Sequence, residues 1–312
     1  MKIFKYIIIA FASMIALASC EKHGLGYDCE LVDAKDNAFV YFYRMIPEAA
    51  STATRAYRVE IDGQPMWQGT SAYLSQFDYL PAQGRHYVLT PGTHTLKLFL
   101  SHEDTEPYYN QEFTVKAGMQ DVVITNINAA PLVLDNNAEY PHDVTAHTAE
   151  SFYLRFVNIM YEDENFTIPD YKLQYYYQDP TDLEWYPASD PVGFGEVSSW
   201  TRIHIDQFAE QRSGQSGTGS SREWADNRVG HSVTSGSCTI YYKMKRIEAD
   251  GTESWMTYNR KGGAEGSDVE YKDYWTAYVG RHQTHFMRGM RVSPSGSGTG
   301  NTAAWISQMG KY

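Results

Sequence analysis

Thr93-His94-Thr95-Leu96-Lys97-Leu98-Phe99-Leu100 alternates with period two, the spacing of a half-buried strand. Leu96, Leu98 and Leu100 share one face; Thr95, Lys97 and Phe99 share the other. Thr90-Pro91-Gly92 supplies a turn just before it. Upstream, Ala38 to Ile46 (AFVYFYRMI) is an aromatic run of strand formers. Ala56 to Ile61 alternates and ends on Asp62-Gly63, a hairpin turn whose returning strand is Met66 to Gly69. Ser71 to Leu80 and Arg85 to Leu89 are further strands. Downstream come Glu112 to Val115, a turn at Ala117-Gly118, and Asp121 to Ile127. About seven short strands broken by turn residues spell a β-sandwich over 38–128. No amphipathic helix is visible there.

Residues 129–150 are polar and broken by prolines, and read as a linker. Ser151 to Ile159 (SFYLRFVNI) then looks like Phe39 to Ile46, and Tyr171 to Tyr177 like Tyr57 to Ile61. Thr201 to Ile205, Cys238 to Ile247, Trp255 to Tyr258, Tyr274 to Val279 and Phe286 to Val292 complete a second set, with a hairpin turn at Asp250-Gly251. The expected fold class is all-β, two tandem sandwiches. The second spans 151–293 and holds a long insertion at 207–236. A Gly/Ser-rich tail follows at 294–312, in which Ala303 to Met309 forms a short helix or strand.

The chain opens with Lys2 and Lys5, an apolar stretch from Tyr6 to Ala16, and small residues at Ala18 and Ser19. That is the layout of a secretory leader, over 1–19. The stretch is short for a spanning helix, which needs about 20 residues. Leu17-Ala18-Ser19-Cys20 resembles the bacterial lipobox. The resemblance implies cleavage before Cys20, lipid on its thiol, and residues 20–37 as a tether. It places the chain on the outer membrane of a Gram-negative cell, on the periplasmic or the surface face. Several acyl chains hold far better than one, at about 0.8 kcal/mol per buried CH2.

Without the leader, 24 basic residues face 38 acidic ones, a net charge of −14. Such a surface excludes nucleic acid as a partner. Once Cys20 carries lipid, Cys29 and Cys238 remain, a candidate disulfide in an oxidising compartment or two unpaired thiols.

Further residues carry a family resemblance: Val59-Glu60-Ile61-Asp62-Gly63, Leu89-Thr90-Pro91-Gly92-Thr93-His94-Thr95-Leu96 and Phe113-Thr114-Val115-Lys116-Ala117-Gly118. The first half resembles immunoglobulin-like extracytoplasmic domains of unknown function that often occur in tandem in bacterial lipoproteins. The second half is similar to them chiefly at Leu154-Arg155-Phe156-Val157-Asn158. The resemblance implies the sandwich fold and carries over no catalytic residues.

No nucleophile elbow and no phosphate-binding glycine loop is present, so no cofactor is expected and the chain reads as a non-enzyme. His282 and His285 fall on opposite faces of a strand, which argues against a shared metal. Glu162-Asp163-Glu164-Asn165 lacks the spacing of a calcium loop and reads as a solvated turn. The tryptophans carry the most weight. Trp185, Tyr186, Trp200 and Trp224 stand beside loop residues, where aromatic rings stack on sugars or anchor proteins. The expected function is a membrane-anchored envelope protein that binds glycan or protein through its loops. The alternatives are a structural, fimbria-like component using sheet edges, and a carboxylate-dependent hydrolase.

Overall fold

The computed structural model describes residues 33–48, 55–68, 74–81, 85–136, 151–179, 182, 184–204, 230–232, 237–278, 280–294 and 302–311. The leader, Cys20, Cys29, Trp224 and nearly all of the 207–236 insertion lie outside the described residues.

The described residues form strands and no α-helix. In the first half these are β1 (Ala38–Arg44), β2 (Arg58–Ile61), β3 (Gln64–Gln68), β4 (Asp78–Leu80), β5 (Tyr87–Leu89), β6 (Gly92–Phe99), β7 (Tyr109–Val115), β8 (Gly118–Ile124) and β9 (Leu132–Asp135). The second half holds β10 (Ser151–Asn158), β11 (Lys172–Gln178), β12 (Trp185–Pro187), β13 (Thr201–His204), β14 (Gly230–Ser232), β15 (Ser237–Ile247) and β16 (Glu253–Trp255). It continues with β17 (Thr257–Asn259), β18 (Asp268–Glu270), β19 (Lys272–Tyr278), β20 (His282–Arg288) and β21 (Trp305–Lys311).

The two halves repeat one strand order. The first pairs β4-β1-β8-β9 in one sheet and β3-β2-β6-β7 in the other. The second pairs β13-β10-β20-β21 in one sheet, and β12-β11-β15-β19 in the other, where β14 and β16 also join β15. In both halves the pair involving the opening strand and the late strand is parallel, β1 with β8 and β10 with β20.

Within each half the two sheets close on one apolar core. Val40, Phe42, Val122 and Ile124 meet Val59, Ile61, Leu96, Leu98 and Phe113 in the first. Phe152, Leu154 and Phe156 meet Leu173, Tyr175, Ile240, Tyr242 and Met244 in the second. The opening strands have a second buried face as well. Tyr41, Tyr43 and Met45 of the first half join Val157, Ile159, Phe286 and Met309 of the second in a third cluster. This is why AFVYFYRMI and SFYLRFVNI run apolar without alternation: strands covered on both faces read as continuous hydrophobic runs. In β6, by contrast, Leu96 and Leu98 are buried while Thr95 and Lys97 face out. Phe99, on the outer side, is covered by the Arg58 guanidinium at 3.7 Å.

Two expected boundaries move. The linker was expected over 129–150, yet Leu132–Asp135 is a strand paired with β8. Leu134 belongs to the cluster between the halves and Leu132 packs against it, while Val133 packs against the first core, which explains the short apolar run inside a polar stretch. The tail was expected over 294–312 with Ala303 to Met309 as a short helix or strand in it; a strand forms there as β21, which pairs along the whole of β20 and buries Ile306 in the second core, so this stretch belongs to the second half. Just before β21, residues 302–304 press against Gly289, whose φ of +90° and missing side chain admit them. Met290 N–H donates to Thr302 O and Ala304 N–H to Met290 O, each at 2.8 Å.

The hairpin turn at Asp62-Gly63 forms as expected, with φ of 52° and 75° at its two central residues. Its carboxylate then reaches the neighbouring strand. Asp62 Oδ2 lies 2.7 Å from His94 Nδ1, Asp62 Oδ1 accepts from Thr95 N–H at 2.8 Å, and His94 Nε2 lies 2.8 Å from Thr90 O. The Asp-Gly and Pro-Gly-Thr-His-Thr motifs are thus the two ends of one clamp. Burial pulls the His94 pKa down, but the Asp62 hydrogen bond, the Thr90 carbonyl and the Asp62 charge outweigh it and leave it raised. A raised histidine stabilises fully below about pH 6.5 and loses that contribution as pH climbs through its folded value. Asp62→Asn is therefore expected to cost about 1 kcal/mol at pH 6, less at pH 8, in urea unfolding. An equal cost at both pH values would show that the clamp is not charged.

His285 stands in the opposite situation. It is fully buried in the second core beside the rings of Tyr175 and Tyr242. Its nitrogens meet the Tyr175 hydroxyl at 3.4 Å, Gln283 at 3.3 Å and Gln308 at 3.0 Å, all neutral groups. Burial pushes its pKa down to about 3. Below pH 6.5 the unfolded chain takes up a proton that the folded chain refuses, so stability falls as pH falls, at about 1.4 kcal/mol per unit. About 3 kcal/mol is expected to be gone by pH 4.5. His285→Gln should flatten that slope by about one proton in urea midpoints taken from pH 7 to 4.5. An unchanged slope would assign the acid sensitivity to other groups.

Candidate functional site

The outer face of the β12-β11-β15-β19 sheet carries the most distinctive chemistry. Leu173 and Tyr175 of β11, and Ile240, Tyr242 and Met244 of β15, turn into the core. The alternating positions Lys172, Gln174 and Tyr176, and Tyr241, Lys243 and Lys245, turn outward. Register then assembles side chains far apart in sequence. Tyr176 lies opposite Lys243, and Lys245 opposite Trp255. Trp185 of β12 stands opposite Gln178.

The result is an interleaved strip of rings and ammonium groups. Lys243 Nζ lies 4.8 Å from the Trp185 ring and 5.1 Å from the Trp255 ring. Lys245 Nζ lies 4.8 Å from the Tyr176 ring and 5.6 Å from Trp255. Trp255 meets Tyr176 edge-on at 5.5 Å and Trp185 at 6.3 Å. Carboxylates border the strip: Glu253 binds Lys245 at 2.8 Å, and Glu270 binds Lys243 at 3.1 Å and Lys272 at 3.6 Å. The Glu253 hydrogen bond holds the Lys245 pKa above its ordinary value. Further along, Tyr241 and Tyr274 stand opposite each other with rings 6.0 Å apart, and Tyr274 is exposed. A rigid sheet holds all of these, so little side-chain freedom remains to be lost on binding.

The corresponding strands of the first half provide an internal comparison. Along the outer side of β6 and β7, Thr93 faces Thr114, Thr95 faces Glu112, and Lys97 faces Asn110. The same strand order therefore folds there with Thr, Glu, Lys and Asn, and with one ring, Phe99, on the outer side of β6. Packing alone does not require tryptophans and tyrosines in the second half.

The four aromatics singled out in the sequence separate. Trp185 belongs to the strip. Tyr186 points the other way, exposed at the sheet edge, with its hydroxyl donating to Asp182 at 2.8 Å and its ring 6.0 Å from Tyr177. Trp200 lies over the Arg155 guanidinium at 5.3 Å and edge-on to His282 at 5.6 Å, far from Trp185 in the sheet order. Trp224 lies outside the described residues. Cys238 sits in β15, opposite His231 and Ala277, while Cys29 lies outside the described residues. Trp255 stood among the weighted tryptophans of the sequence without being placed at a site, and Tyr176, Lys243 and Lys245 were missed. The signal that points to them is the spacing Tyr241-x-Lys243-x-Lys245 against the buried Tyr242-x-Met244.

The acidic stretch after β10 serves its own loop. Asp163 Oδ1 accepts from Asn165 N–H at 2.9 Å and from the Thr167 hydroxyl at 2.9 Å. Glu162 accepts from the Tyr171 hydroxyl at 2.7 Å and from Arg291 Nε at 2.5 Å. Among the described residues, no three His, Cys, Asp or Glu side chains converge on a metal position. No protein-family model matches the chain, and no curated protein matches it.

Proposed function

We propose that this chain is an exported lipoprotein, anchored by lipid on Cys20 to the outer membrane of a Gram-negative cell, that binds a glycan or a protein without catalysing a reaction. Two tandem immunoglobulin-like sandwiches form its body. The binding surface is the outer sheet face that carries Trp185, Tyr176 and Trp255, rather than the loops. One observation carries the reading: two sheets of the same strand order differ on this face, one lined mostly by Thr, Asn, Glu and Lys with a single ring, Phe99, covered by Arg58, the other by several rings interleaved with lysines. The first sheet folds without such a strip, which supports a ligand as the reason for it in the second.

The anchor is tested by metabolic labelling with a radioactive fatty acid. Cys20→Ser should abolish the label, and a labelled variant would remove the lipid from the proposal. Binding is tested with the full chain in detergent on a glycan array and by cross-linking in intact envelopes. Trp255→Ala is expected to weaken capture by about tenfold, the scale of losing an aromatic anchor. A variant that binds as well as the parent would move the site off this face.

A second reading is a structural part of a surface assembly. It draws on β21, which is paired along one edge only among the described residues. Co-purification from membranes as a multi-protein complex favours it; a lone monomer counts against it.

A further inference from the structure

We infer that the ligand of this face is an acidic polysaccharide, a chain of sugars bearing carboxylates at intervals; the inference rests on the binding reading above. The first ground is charge. Lys172, Lys243, Lys245 and Lys272 stand on the outer side of the sheet, and the carboxylates bound among them are Glu253 and Glu270. Glu270 is shared by Lys243 and Lys272, and Glu253 is taken by Lys245. The patch is therefore positive on a chain whose part after the leader carries 24 basic and 38 acidic residues. A local excess of cations against an opposing overall charge suits an anionic group held at short range.

The second ground is the placement of the lysines between the rings. Lys243 lies within about 5 Å of both Trp185 and Trp255. Protein interfaces deplete Lys and Glu at their centres, because each must give up water there. A sugar avoids that cost. Its C–H face covers an aromatic ring, while its hydroxyls and carboxylate hydrogen-bond the ammonium and carboxylate groups beside the ring. Aromatic rings alternating with cations also suit single-stranded nucleic acid. The acidic body of the chain, however, repels a polymer with one charge on every unit. A chain with sparser charge is opposed less.

The test uses the full lipidated chain in detergent and three probes in a titration: hyaluronate, in which every second sugar carries a carboxylate, the same polymer fully methyl-esterified, and a single-stranded oligonucleotide. Esterification removes the charge and keeps the sugar chain. The acid form is expected to bind roughly tenfold tighter than the ester, the scale of two exposed ion pairs. Added salt should weaken the acid form toward the ester. The Lys243→Gln/Lys245→Gln double variant should lower acid binding much more than ester binding, so that the two converge. Trp255→Ala should lower both. Equal binding of acid and ester overturns the inference and leaves glycan binding standing. Failure of both polymers overturns the inference, and if the glycan array is also empty and cross-linking finds no protein, the binding reading falls as well. Tighter binding of the oligonucleotide overturns the inference in favour of a nucleic acid.

Discussion

Arg155→Ala is expected to cost about 3–5 kcal/mol of folding stability, the range for stripping one partner from a buried ion pair. Arg155 and Asp121 are both fully buried and come from different halves of the chain. Arg155 Nη2 donates to Asp121 Oδ2 at 3.0 Å and Nη1 donates to Asn136 Oδ1 at 2.7 Å. Asn136 Nδ2 in turn donates to Asp121 Oδ1 at 3.3 Å. Alanine would leave the Asp121 carboxylate without its countercharge and open a void between β8 and β10. Replacing both charges, as in Arg155→Met with Asp121→Leu, should recover much of the loss, because the desolvation cost disappears with the charges. Urea unfolding monitored by tryptophan fluorescence reads both. A loss under about 1 kcal/mol for the single variant would mean that water reaches the site.

Gly289→Ala is expected to cost about 4 kcal/mol, combining overpacking with backbone strain. An added Cβ would stand 2.2 Å from the Ala303 carbonyl oxygen and 2.6 Å from its carbon. Those atoms are backbone, so no rotamer change relieves the clash. The φ of +90° penalises any side chain independently. Residues 302–304 would have to lift away, and they lead directly into β21. Hydrogen exchange should therefore show amides of β21 losing protection before those of the first half. Uniform loss across both halves would indicate that β21 does not come away first.

Much of this architecture was legible in the chain, and the parts that were not share one cause. Alternation at Leu96 and Leu98 reports a strand with one wet face, and the Asp62-Gly63 turn reports its hairpin, because both signals are local. The runs at Ala38 and Ser151 also announce strands. Their lack of alternation held the further information that both faces are covered, but what covers them comes from a segment more than a hundred residues away. The linker and tail were over-extended for a related reason: Leu132-Val133-Leu134 and Ala303-Ala304-Trp305-Ile306 are short apolar runs inside polar stretches, and length alone does not say that they pair with β8 and β20. On the outer face of the second half's larger sheet, Trp185 was visible as an aromatic beside a turn. Trp255 and Lys243 join it only through the register of β15 with β11 and β16, which no short window of sequence contains.

The third cluster, between the halves, has a consequence for inheritance. Two sandwiches strung on a linker can be shuffled among genes like interchangeable parts. Here Tyr43 lies against Phe286 with ring centroids 5.1 Å apart, and Arg155 finds its counterion in the other half. A half transplanted alone would carry a bare apolar sheet and an orphaned charge into its new host. The halves share one strand order, and the join makes each the cover of the other's second face. A substitution at either Asp121 or Arg155 therefore unsettles both halves at once.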